Sequence, residues 1–316
     1  TYENKTEENH TIDWGDLEQE ITVGPNPNWC TDNCDFKGAG DGKWGSYNND
    51  DDTIIWTVQI KAPAEGLPAG QHVTVTDDLD TSVFTLAEDS SFPRVHEGRS
   101  LSYDKWGRQG IDYVRMDSSR YTVSPNGLVV DFDTVAGLGN NAPEGHQGTD
   151  GSFYYVQWKV KVLDEGKAKT YKNLAHYTLS GVESNDINGS ATRYEYSGIA
   201  VGRNFGKFRV TKELTGDTTL NPTFKVTYTS ELDGEVKEGS FNINAGGTYV
   251  SGEFFKGTKI VLKEIKPVDP SNVEWADPVF LDQDGNEVSK IVFSTANGNV
   301  GKLTEIRLVN KATLQK

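Results

Sequence analysis

Alternation of apolar and polar residues runs through most of this chain. In TIIWTVQI (53–60), Ile54, Trp56, Val58 and Ile60 fall on one side and the residues between them on the other. A period of two is the mark of a β-strand with one buried face. The same pattern recurs in HVTVTDDL (72–79), GLVVDFD (127–133), SFYYVQWKVKV (152–162) and KTYKNLAHYTLS (169–180). The last third predicts five more strands: FGKFRVTKEL, TFKVTYTSEL, EGSFNINAG, GTKIVLKEI and TEIRLVNKA. Turn signals such as PNG, LDGE, NAGG and DQDGNE separate these runs. No amphipathic helix longer than about two turns is read. Short strands with such turns predict an all-β chain built from sandwiches or barrels.

Three polar residues interrupt the apolar faces of the last third. Phe208, Val210, Lys212 and Leu214 share one strand face, as do Ile260, Leu262 and Glu264, and Ile306, Leu308 and Asn310. An unpaired buried ion costs several kcal/mol, so three such residues on three apolar faces are expected to meet. A lysine in an apolar site is driven toward its neutral, nucleophilic amine. A buried carboxyl tends to stay protonated and can shuttle a proton, and asparagine offers an amide carbon. Together they predict a Lys–Asn isopeptide bond formed with loss of ammonia. The alternative is that Lys212 snorkels, Glu264 pairs with Lys263 or Lys266, and Asn310 caps a strand end.

Asp77 repeats the anomaly, because Val73, Val75, Asp77 and Leu79 share a face while Asp78 lies on the other. An inward aspartate requires a partner.

The order VTKELTG, VLKEIKP, RLVNKA over roughly residues 206–316 resembles the Cna B-type domains of Gram-positive surface adhesins and pilins. That resemblance implies an autocatalytic bond from Lys212 to Asn310 with Glu264 as the catalytic acid. The segments KWGSYNNDDDTIIWTVQI, VTVTDDL, YYVQWKVKV and KNLAHYTL resemble the A-type, collagen-adhesin-like domains of the same proteins. Here the resemblance assigns Lys43 as the reactive lysine, Asp77 as the acid and Asn204 as the asparagine. Lys37 competes with Lys43. Asn173, which shares a face with Tyr171, Ala175 and Tyr177, is the asparagine that strand patterning prefers, whereas family position selects Asn204. The two resemblances imply an all-β fold of two tandem immunoglobulin-like β-sandwich domains: an arm at 1–35, an A-type domain at 36–205 and a B-type domain at 206–316. They also imply an adhesin fragment at the bacterial cell wall surface, with a host matrix or cell-surface protein as ligand. A ligand-free pilus-shaft module and a glycan-binding module are the other readings.

A chain of 316 residues is long enough for two ordinary domains. The net charge of −16 argues against binding nucleic acid through its phosphates. No membrane span, signal peptide or sorting motif is read, and the chain is expected to be a piece of a longer precursor with further domains. Cys30 and Cys34 in WCTDNC are expected to form a local disulfide, which fits an extracytoplasmic compartment. The five histidines show no ligand spacing, so neither a metal nor another cofactor is expected. LDQDGNEV (281–288) lacks the helices of a calcium loop and is expected to be a hairpin turn at Asp284-Gly285, and NNDDD (48–52) a solvated turn. Residues 88–121 read as a long excursion, in which Tyr103, Trp106 and Arg108 are the candidate ligand contacts. The only catalysis expected is single-turnover self-cross-linking.

Overall fold

The computed structural model describes residues 8–13, 18–23, 41–61, 70–103, 109–134, 153–216, 222–267 and 272–315. Nearly all the regular structure among the described residues is strand, arranged as β-sandwiches. No helix among the described residues is long and apolar enough to cross a membrane. The chain divides into two compact units, one of residues 1–164 with 168–193, the other of 165–167 with 194–316. The main break at Arg193/Tyr194 precedes the 205/206 division read from the sequence.

In the first unit, β1 (Glu8–Asp13) and β2 (Glu18–Val23) form a two-stranded antiparallel ribbon. The strands that follow are β3 (Gly42–Asn48), β4 (Thr53–Lys61), β5 (His72–Asp78), β6 (Phe84–Leu86), β7 (Arg94–Tyr103) and β8 (Gln109–Arg115). Then come β9 (Tyr121–Val123), β10 (Val129–Asp133), β11 (Phe153–Val162), β12 (Thr170–Leu179), β13 (Val182–Glu183) and β14 (Ile187–Thr192). One sheet has the order β3-β4-β11-β7-β8, with β6 also on β11. The other runs β13-β12-β5-β10-β9, with β14 also on β12. The alternation seen in the sequence fills the space between them: Ile54, Trp56, Val58 and Ile60 of β4 and Val73 and Val75 of β5 are all fully buried.

The segment read as an excursion at 88–121 contains the antiparallel pair β7 and β8, which extends the first sheet. A long unpatterned stretch in the sequence is thus partly regular structure. The NNDDD turn is less solvated than expected, because Asp52 is buried and accepts a hydrogen bond from the Tyr47 hydroxyl at 2.8 Å.

The second unit contains β15 (Phe205–Gly216), β16 (Thr223–Leu232), β17 (Glu235–Asn244), β18 (Thr248–Val250) and β19 (Phe254–Phe255). It continues with β20 (Lys259–Ile265), β21 (Val273–Trp275), β22 (Val279–Leu281), β23 (Ile291–Val292) and β24 (Leu303–Leu314). One sheet is β18-β15-β24-β21, with β19 on β15 and β22 on β24. The other is β17-β16-β20-β23. The first and last strands, β15 and β24, pair in parallel, with Lys212 opposite Leu308. The β16–β17 hairpin turns at Asp233 and Gly234, with φ of 53° and 84°. Two consecutive positive φ values match a turn twisted with its strands, which glycine accepts without strain. At Asp282 the carboxylate accepts the backbone N–H of Asp284 and of Asn286, so LDQDGNEV is a turn held by its own first aspartate.

Phe208, fully buried, stacks on Phe254 at 5.9 Å and meets Tyr228 edge-on at 5.7 Å. Phe208→Ala is expected to destabilise the second unit by about 3–5 kcal/mol, read as a lowered urea midpoint. A midpoint close to that of the parent chain would show that this core is not the close-packed one described.

Candidate functional site

The polar residues that broke the apolar pattern come together in both units. In the second unit, Lys212 enters from β15, Asn310 from its parallel neighbour β24, and Glu264 from β20 in the facing sheet. Asn310 lies two residues beyond the register partner of Lys212, on the same face. The Lys212 Nζ donates to Glu264 Oε2 at 2.7 Å and also to Asn310 Oδ1. The Asn310 Nδ2 donates to Glu264 Oε1 at 2.7 Å, which closes the triangle. The Lys212 and Glu264 side chains are both 0% exposed, and Asn310 is equally buried. The Phe224 ring lies 3.9 Å from the Lys212 Nζ. Burial lowers the Lys212 amine below its ordinary pKa, and Glu264 opposes that shift by hydrogen bond and charge.

The first unit builds the same chemistry with another geometry. Lys43 comes from β3, an edge strand of one sheet, and crosses to β5 and β12 of the other. Its Nζ donates to Asp77 Oδ2 at 2.6 Å and to the Leu174 carbonyl at 2.8 Å. The Asn173 Nδ2 donates to Asp77 Oδ1 at 2.8 Å, and the Leu174 N–H donates to Asn173 Oδ1 at 2.9 Å. That last bond points a donor at the oxygen that would carry negative charge if the Asn173 amide carbon were attacked. Burial lowers Lys43, against the opposing effects of Asp77 and Asp78. Burial raises Asp77 from the usual carboxylate range, against the opposing effects of Lys43 and the Asn173 hydrogen bond. Both shifts favour a neutral amine beside a protonated acid.

Lys212, Glu264 and Asn310 therefore meet, as do Lys43 and Asp77. Asn204 does not join them: its Nδ2 donates to the Glu165 carbonyl, and it belongs to the second unit. The asparagine beside Asp77 is Asn173, because β12 pairs with β5 and places Ala175 opposite Asp77, with Asn173 two residues along on the same inward face. The strand pattern carried that signal, and family position overrode it. Sequence reasoning missed the Phe224 and Trp56 rings and the Leu174 backbone, which depend on which strands become neighbours. Lys37, Cys30, Cys34, Trp106 and Arg108 lie outside the described residues. Tyr103 ends β7, and its side chain is likewise outside the description.

Residues 208–311, within the second unit, match the family described as a domain of unknown function (DUF5979). No curated protein sequence matches the chain significantly. Among solved structures, the full-length major pilin SpaD from Corynebacterium diphtheriae is similar at 16% identity and a TM-score of 0.30. That alignment covers 85% of this chain and 64% of the pilin, so the chain spans less than two thirds of it. The collagen-binding domain of a Staphylococcus aureus adhesin is similar at 13% identity and a TM-score of 0.30, covering 50% of this chain and 99% of that domain. A Mobiluncus mulieris adhesin, described as containing intramolecular disulfide, isopeptide and ester cross-links, is similar at 14% identity and a TM-score of 0.34. It covers 87% of this chain and 99% of its own. The solved structures this chain resembles are thus bacterial pilins and adhesins.

Lys43→Met removes the cation and leaves Asp77 buried, so burial raises its carboxyl with no lysine to oppose it. A carboxyl whose folded pKa lies above its unfolded value contributes its full stability below the unfolded pKa. It loses that stability as pH rises through the folded pKa. The comparison is with Lys43→Met/Asp77→Asn, which lacks the titrating group. Relative to that double variant, Lys43→Met is expected to lose stability as pH rises above about 4, the ordinary carboxylate value, until the raised folded carboxyl has itself ionised. The loss has a limiting slope of about 1.4 kcal/mol per pH unit while the folded carboxyl keeps a proton that the unfolded one has released. Thermal melts of both variants across that range check this, and a constant difference between them would show that Asp77 is not desolvated.

Proposed function

We propose that this chain is a load-bearing region of a bacterial surface adhesin or pilus, and that a self-formed Lys–Asn isopeptide bond locks each sandwich. The observation that carries this reading is a buried carboxyl that accepts from both a lysine amine and an asparagine amide, found in each unit on unrelated strand pairs and closed into a triangle in the second. A structural ion pair needs no asparagine amide held against the same carboxylate.

In the second unit, the chemistry would begin with transfer of a proton from the Lys212 ammonium to Glu264. The neutral Nζ attacks the Asn310 Cγ, and the carboxyl returns a proton to the Asn310 nitrogen as the C–N bond breaks. The Asn310 nitrogen leaves as ammonium, having taken a second Nζ proton through Glu264, which ends as the carboxylate it began as, and a secondary amide joins the two side chains. In the first unit, Lys43, Asp77 and Asn173 take the same roles, with the Leu174 N–H on the developing oxyanion. The desolvation that lowers both lysines supplies the nucleophile. Each reaction consumes its own lysine and asparagine, so the chain turns over no substrate and is not an enzyme.

Lys212 and Asn310 are 98 residues apart, and Lys43 is 131 from Leu174, the neighbour of Asn173. Closing loops of about that size is worth on the order of 5 kcal/mol each in the chain-entropy account. An amide also resists the reduction that opens a disulfide. Both properties suit a protein held under tension outside the cell at the wall surface. Ligand recognition, with a host matrix or cell-surface protein as partner, is assigned to Tyr103, Trp106 and Arg108.

Intact mass of the denatured, reduced chain is expected to fall short of the sequence mass by two ammonia molecules. Glu264→Ala and Asn310→Ala should each restore one, Asp77→Ala and Asn173→Ala the other, and Asn204→Ala neither. A parent chain at full mass would remove the reading for both units. A parent chain lacking one ammonia, with the bond mapped to Lys212 and Asn310, would remove it for the first unit alone.

A further inference from the structure

Lys43 lies on an edge strand, yet its side chain is 0% exposed. The element that lies against it is β14, and the point of contact is Gly189. Gly189 is the register partner of Asn173 on β12, so it borders the cluster directly. A Cβ placed on Gly189 would lie 2.6 Å from the Lys43 Cγ, and 3.1 Å from both its Cβ and its carbonyl carbon. Those atoms are the root of the lysine, not its flexible end, so they cannot swing aside without carrying Nζ with them. The φ of Gly189 is outside the left-handed region, so space, and not backbone conformation, demands glycine here. Ile187 and Ala191, which flank it on the inward face, are both buried. The close approach continues along the strands, since a Cβ on Gly45 of β3 would lie 2.6 Å from the Ala191 Cβ.

We propose that Gly189 is a positioning residue for the Lys43–Asn173 reaction: the missing side chain lets β14 close over the lysine stem, excluding water and aiming Nζ at Asn173. This rests on the isopeptide reading above. The groups that face Lys43 are Asp77 and the charge of Asp78 from β5, the Leu174 carbonyl and Asn173 from β12, and the Trp56 ring at 5.6 Å from β4. β14 adds no charge to this set at Gly189; its contribution is to keep solvent out. It also follows Lys43, Asp77 and Asn173 in the chain, so the reactive set is complete before its cover. Bond formation in the first unit therefore waits on docking of the unit's last strand.

The test uses the full chain with Gly189→Ala, and with Ser190→Ala, an exposed neighbour on β14, as control. Denatured intact mass and peptide mapping read the outcome, and near-ultraviolet circular dichroism reports that the first unit is folded. Gly189→Ala is expected to lose one ammonia, mapped to Lys212–Asn310, and Ser190→Ala to lose two. When purified Gly189→Ala is then incubated at rising pH, the missing bond should form at a rate climbing about tenfold per pH unit, because a hydrated Lys43 is mostly protonated below its ordinary pKa. A simple packing defect would slow the bond without that slope. Ile187→Ala loosens β14 by removing atoms, and should show the same slope if Gly189→Ala fails to fold. Two ammonia molecules lost at the parent's extent in both variants, or a rate indifferent to pH, would overturn the proposal. A parent chain that keeps its Asn173 ammonia would overturn the underlying reading instead.

Discussion

Each sandwich is organised around a lysine amine taken out of water and set against one carboxyl that also receives an asparagine amide. An amine in an apolar interior is costly unless it is neutral or fully satisfied, and the surrounding strands are arranged to meet that condition. Lys212 reaches both Glu264 and Asn310, and Glu264 also receives the Asn310 amide. Lys43 reaches Asp77 and the Leu174 carbonyl, and Asp77 also receives the Asn173 amide. The apolar faces around these groups do more than stabilise the fold, since the same desolvation lowers both lysines toward the nucleophilic form.

The two units reach this condition by different routes. In the second, lysine and asparagine sit on paired parallel strands of one sheet, and only the acid comes from the facing sheet. In the first, acid and asparagine share a sheet, and the lysine crosses to them from the edge of the other. A bond in the second unit would tie its first and last long strands within a sheet. A bond in the first would tie sheet to sheet and leave Leu174–Arg193, with β13 and β14, outside the closed loop. The carbonyl and N–H of Leu174 take part only in the first arrangement, because there the asparagine and its own following residue both line the site.

Alternation made the strands legible, and Ile54, Trp56, Val58 and Ile60 are buried as the period of two requires. It failed in the 88–121 stretch, where β7 and β8 carry too many polar residues to stand out, and at Asp52, whose burial depends on Tyr47 folding over it. Lys212, Glu264, Asn310 and Asp77 were visible because each is a polar residue in an otherwise apolar row. Asn173 was visible in the same way, between Tyr171 and Ala175, but position along the chain favoured Asn204. Gly189 gave no signal, since a glycine required for space looks in sequence like any other glycine in a polar strand.

The sequence by itself determined which residues face inward, because side-chain direction along a strand depends only on the local period. That placed five charged or amide groups, Lys212, Glu264, Asn310, Asp77 and Asn173, in the interior and required partners for them. It could not determine who the partners are, because pairing depends on which strands lie side by side and in what register. Tertiary structure decided that β12 lies beside β5 with Ala175 opposite Asp77, which brings Asn173 to the acid and leaves Asn204 on a carbonyl of Glu165. It also decided that β14 passes over Lys43 at the one residue lacking a side chain, a contact between strands whose nearest members are far apart in the chain.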